Sequence, residues 1–160
     1  MASKLLCKFF GTLTVVLSLA CLAGCAAFPP ASEPSATATL ACQPSQVQTS
    51  KNGFAEIEGN MHTDGELWAL LFFGQAHAKE DLKIVWKMTG ADGEIIVQAR
   101  HADGTIISPI WGPEDHGGSN WERPGHEWGT GFNFPKPGCW RLTATRGATI
   151  GEIRLEVLSP

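Results

Sequence analysis

The densest concentration of chemically able side chains is Gly112-Pro113-Glu114-Asp115-His116-Gly117-Gly118-Ser119-Asn120-Trp121-Glu122-Arg123-Pro124-Gly125-His126-Glu127. Imidazole and carboxylate groups suit zinc or copper. His116 and His126 with Glu114, helped by Asp115, Glu127 or His101, therefore make one candidate metal centre. The spacing of the two histidines matches no ligand motif, and His126-Glu127 lacks the second histidine of HExxH. Exposed loop histidines are the plainer alternative. Recognition is a second chemistry: Trp111, Trp121 and Trp128 offer flat faces for sugar rings, with polar loop groups such as His116, Arg123 and His126 to orient a ligand. The competing arrangement has Trp111 and Trp128 capping the end of the fold, with only Trp121 partly wet.

Catalysis finds less support in the residues. Ser119 lies in Gly-Gly-Ser-Asn, which is not the Gly-x-Ser-x-Gly elbow of a nucleophilic serine. The carboxylates show no spacing that selects an acid and base pair, and there is no phosphate loop or dinucleotide fingerprint. The expectation is a non-enzymatic protein with no cofactor.

The elements that must position this segment have the period of strands. Phe54 to Glu58 alternates, and Leu67 to Phe73 is a short, almost wholly apolar run that suits a strand buried on both faces. Leu82, Ile84, Trp86 and Met88 alternate with Lys83, Val85 and Lys87. Ala76 to Asp81 has the length of one helical turn. Asp92-Gly93 and Asp103-Gly104 supply the positive backbone dihedrals of tight hairpins, which predicts a meander of Leu82–Met88, Glu94–Arg100 and Thr105–Trp111. Trp128 to Phe134, Cys139 to Thr145 and Glu152 to Leu158 complete the series, with Gly112 to Glu127 as a long loop. Loops of that length are often functional. The charged residues Lys79-Glu80-Asp81, Arg141 and Arg146 read as solvated surface. About seven to nine short strands with frequent turns indicate an all-β antiparallel sandwich.

The first 24 residues have a different composition. Lys4 and Lys8 precede the apolar run Phe9 to Leu22, too short to span a bilayer comfortably and ending in small residues, as in a secretory signal. Leu22-Ala23-Gly24-Cys25 resembles the lipobox of bacterial lipoproteins. That resemblance implies cleavage before Cys25, a diacylglycerol on its sulfur and an acylated amino terminus. It also implies a lipid anchor in a membrane of the bacterial cell envelope, on the extracytoplasmic side. Residues 25–41, rich in Pro, Ser, Ala and Thr without apolar periodicity, then form a flexible lipidated linker, and residues 42–160 form the sandwich domain.

Two of the five cysteines, Cys42 and Cys139, lie in that domain. Outside the cytoplasm they most simply pair, the alternative being two buried thiols. Removing Lys4 and Lys8 with the leader leaves ten basic against 16 acidic residues, a net of −6. This sign argues against nucleic acid, whose phosphate backbone demands a clustered basic face.

Pro137-Gly138-Cys139-Trp140-Arg141-Leu142-Thr143 resembles the turn and penultimate strand that close many immunoglobulin-like modules on bacterial surfaces, although Pro137 stands where those modules usually carry Tyr. With Cys42, Trp68 and Phe134-Pro135-Lys136-Pro137, it also looks like a group of small bacterial envelope proteins. The resemblance implies a fold and no activity. The expected function is recognition of a protein or envelope component through Gly112 to Glu127, with zinc or copper handling as the alternative.

Overall fold

The structure is a computed structural model that describes residues 42–160; the segments expected as leader and linker, with Cys25, lie outside the described residues. Among the described residues eleven antiparallel strands follow in order: β1 (Val47–Thr49), β2 (Ala55–Glu58), β3 (Asn60–Met61), β4 (Leu67–Leu71), β5 (Asp81–Met88), β6 (Ile95–His101), β7 (Ile106–Ile107), β8 (Trp111–Asp115), β9 (His126–Asn133), β10 (Gly138–Arg146) and β11 (Thr149–Val157). A six-stranded sheet runs β1-β2-β4-β5-β9-β8, and a five-stranded sheet runs β3-β11-β10-β6-β7. The number exceeds the expected seven to nine because β1 and β3, of three and two residues, carry too little pattern to read, and β8 lies mostly in the segment expected as loop.

Period-two patterning builds the core. Leu82, Ile84, Trp86 and Met88 of β5 face Val97 and Ala99 of β6, Leu142 of β10 and Ile153 of β11 across the sandwich. Trp86, Trp128 and Trp140 are its largest fully buried side chains. Their indole N–H groups all find acceptors, because a buried donor left without one costs about 1–3 kcal/mol. Trp140 Nε1 donates to Lys136 O at 3.1 Å, and Trp128 Nε1 to Glu94 Oε2 at 3.3 Å. Trp86 Nε1 donates to Thr130 Oγ1 at 2.8 Å, and that hydroxyl donates onward to Ile84 O at 3.1 Å. Thr130→Val keeps the shape and removes the acceptor, so chemical denaturation should show a loss of about 1–3 kcal/mol. An unchanged midpoint would mean that the hydroxyl does not satisfy the indole.

Four expectations are corrected. Ala76 to Asp81 forms no helical turn: His77 makes a single parallel bridge to Leu158, and a turn follows. Leu82–Met88 and Glu94–Arg100 do not pair, since β5 belongs to one sheet and β6 to the other. Asp92-Gly93 sits in an arch between layers. Gly90 in that arch has φ +100°, and a Cβ there would lie 2.7 Å from Asp64 O, so a side chain would be both strained and crowded. Arg146, expected on the solvated surface, holds the arch instead: Nε donates to Gly93 O at 2.8 Å and Nη1 to Met88 O at 3.2 Å, with its guanidinium 4.8 Å from the Trp128 ring centre. Asp103-Gly104 does close a hairpin, β6–β7. The chain then crosses back, and Trp111 to Asp115 form β8 beside β9, so the first part of the expected loop is strand.

Candidate functional site

All five residues of β4 are buried. Alternation explains Leu67, Ala69 and Leu71, which face the core; Trp68 and Leu70 point out of the sandwich and need a second cover. Residues 116–125 supply it. Trp121, 6% exposed, packs with Trp68, Leu70 and Val85 in a small cluster on the outer face of the six-stranded sheet. Arg123 lies flat above Trp68, 3.7 Å from the ring centre, a cation–π geometry that gains in strength once water is excluded.

A single carboxylate holds both anchors. Glu56 of β2 points out beneath the loop with its side chain 4% exposed. It accepts from Trp121 Nε1 at 2.9 Å and is paired with the Arg123 guanidinium. The hydrogen bond from Arg123 is the main influence holding the Glu56 carboxyl below the ordinary glutamate range; burial opposes it, and the Trp121 bond assists. On the other flank Lys87 Nζ donates to Trp121 O at 2.6 Å and lies 3.4 Å from Glu127 Oε2. Ser119 Oγ donates to the same carboxylate.

The expected convergence of three tryptophan faces is therefore corrected. Trp121 covers the sheet, and Trp128, 1% exposed, is core. Trp111, 37% exposed, lies over Gly129 and Gly131 of β9. A Cβ at Gly131 would fall 1.9 Å from its Nε1, so the indole occupies the space that the glycines leave on the outer face.

The histidines stay apart chemically. His116 Nδ1 pairs with Glu127 Oε1 at 2.9 Å, and His126 pairs with Asp115 while its ring packs 4.5 Å from that of Trp128. Both line a shallow pocket of about 190 Å³ with Lys87. His101 pairs with Asp103 at 2.9 Å on the other sheet, and Glu114 is exposed. Among the described residues no three His, Cys, Asp or Glu side chains converge as a metal centre. The expected set of His116, His126 and Glu114 is not brought to one point.

The rim of the docked loop forms a feature that sequence reasoning missed. A polar cleft of about 450 Å³ opens between residues 48–52 and 120–123, with Gln48, Thr49, Asn52, Asn120, Trp121 and Arg123 among its lining. The Lys51–Glu122 ion pair and the Asn52 Nδ2 to Asn120 Oδ1 hydrogen bond, 3.3 Å, join its two sides. Residues 48–52 carried no signal, because a two-stranded edge and a short turn look like any polar connection until the loop settles beside them.

No family model, curated protein or solved structure matches this chain.

Proposed function

We propose that this is a lipid-anchored protein of the bacterial cell envelope that recognises an envelope component non-enzymatically, through the cleft between residues 48–52 and 120–123. The observation that carries the reading is the docking of the loop by Trp121 and Arg123 over Glu56 and Trp68. A loop already held in one arrangement loses little conformational freedom when a ligand arrives, and that saving raises affinity. Amide, hydroxyl and charged groups line the cleft, which suits a ligand rich in hydrogen-bonding groups, such as a cell-wall polymer. Anchoring at Cys25 rests on the lipobox-like Leu22-Ala23-Gly24-Cys25, and the disulfide between Cys42 and Cys139 agrees with an oxidising compartment. We read the sandwich as immunoglobulin-like on the likeness of Pro137 to Thr143.

The anchor and the recognition are tested together in the full chain. Labelled palmitate should enter the wild type and leave the C25S variant unlabelled and soluble; labelling that survives C25S refutes the anchor. Isolated cell-wall polymer should sediment the C25S chain, and N52A combined with N120A should abolish sedimentation without changing the melting temperature. Equal sedimentation of both forms, or none, refutes the cleft.

A further inference from the structure

The outer face of the five-stranded sheet carries a concentration of positive charge that neither the sandwich nor the cleft requires. In the β10 register Arg141 stands opposite Arg100 of β6 on one side and opposite Arg154 of β11 on the other. All three lie on the outward face, Arg100 and Arg141 exposed and Arg154 half-buried. Directly opposed residues have their Cβ atoms about 4.5–5.5 Å apart, where like charges destabilise the pairing. The chain as a whole has a formal net charge of −4, so a general surplus of cations does not account for the row.

Its counter-charge is incomplete. Glu152, the next outward residue on β11, lies with Oε1 3.1 Å from Arg154 Nη2 and Oε2 3.5 Å from Arg141 Nε, and it also faces His62 at 3.3 Å. Burial opposes ionisation of Glu152, but His62, Arg154 and Arg141 together hold its carboxyl below the ordinary range. Asp103 nearby is taken by Lys136 and His101. Among the described residues Glu156 forms no ion pair, Arg100 makes no ion pair or side-chain hydrogen bond, and Arg154 Nε is buried without an acceptor. One carboxylate thus serves two of the three guanidinium groups, and Arg100 is left without one.

Space for the missing acceptor is present. Arg100, Arg141, Arg154, His101 and Gln43 line an open pocket of about 420 Å³, with the Cys42–Cys139 disulfide as part of its wall. Guanidinium forks match oxyanions through paired N–H donors. The pocket lining holds all three arginines and no carboxylate, which suits a phosphate anion.

We infer that Arg100, Arg141 and Arg154 form a binding site for a phosphate group on the outer face of the five-stranded sheet. The group is carried either by a small soluble molecule or by a phospholipid head, and the same forks hold it in both cases. This site is separate from the cleft and stands whether or not the cleft binds a polymer.

The test uses the full chain in a zwitterionic detergent at low ionic strength, titrated with inorganic phosphate and, separately, with dihexanoyl phosphatidic acid below its micelle concentration. Phosphorus NMR should show saturable binding that weakens as salt is added. Similar affinity for both probes assigns the site to phosphate itself, and binding of the lipid alone assigns it to a headgroup. R100Q should weaken binding at least about tenfold, the loss expected for one charge-assisted hydrogen bond. R100K, which keeps the charge without the fork, should fall between. Arg100 has no side-chain partner to lose and stands opposite a like charge, so the melting temperature should not fall. Failure of both probes to bind, or equal affinity in wild type and R100Q, overturns the inference.

Discussion

Replacing Cys42 and Cys139 together by alanine should lower the unfolding free energy by about 4 to 5 kcal/mol, the chain-entropy value for a loop of this length. The bridge ties the start of the domain to β10 across a sequence separation of 97, with Cα atoms 5.2 Å apart. Without it the unfolded chain regains the freedom of that whole 97-residue separation. The folded chain loses little locally, because Ser45 continues to hold the segment: its N–H donates to Arg154 O at 2.9 Å, and its hydroxyl accepts from Arg154 N at 2.9 Å. Native domains are stable by about 5–15 kcal/mol in all, so the double variant should unfold at far lower denaturant, with wild type in reductant following it. Coincident transitions with and without reductant would show that the bridge adds nothing.

Glu56→Ala should have the next largest effect, about 3 kcal/mol. Removing one member of a buried ion pair costs about 3–5 kcal/mol because the other is left uncompensated; the lower end applies since the Arg123 side chain is 30% exposed. Trp121 Nε1 also loses its acceptor. The loop should lift from the sheet, shifting tryptophan emission to the red and opening residues 116–125 to protease. Glu56→Gln separates charge from shape, since the amide oxygen still accepts from Trp121.

Acid provides an independent check on the same carboxylate. Its folded value is depressed below the ordinary 4.5, so its contribution is complete above about pH 4.5 and disappears as pH falls through the lower folded value. Glu152, Asp103 and Glu122 are shifted in the same direction and add to the acid slope. E56Q should therefore flatten, without abolishing, the loss of stability below pH 4.5, and leave the behaviour above that pH parallel to wild type. Parallel curves throughout would mean that Glu56 is not ionised under the loop.

Strand positions were legible in the sequence wherever alternation ran for four residues or more, as in β5, β6 and β11. Which strands pair was not. A strand with one apolar face buries that face equally well beside its neighbour or across the core from it, so Leu82–Met88 and Glu94–Arg100 have the same pattern in a hairpin as in opposite layers. Asp92-Gly93 suggested the hairpin, but the residues between Met88 and Ile95 are long enough to cross from one sheet to the other, and Arg146 fixes the crossing.

The candidate site divides along the same line. Leu67 to Leu71 already showed that something must cover both faces of β4, and Trp121 and Arg123 were visible as unusual loop residues. Their roles as covers were not visible, because Glu56 and Trp68, which receive them, are more than fifty residues away in the chain. The row of Arg100, Arg141 and Arg154 is another product of pairing: each arginine alone reads as a solvated surface charge.

By itself the chain's composition and periodicity determined an all-β body with its apolar faces inward, since alternation is a local property that burial must respect. The tertiary structure alone decided which outward residues became neighbours. Cleft and arginine row alike are assembled from side chains on separate strands or loops, and registers between distant segments leave no local trace.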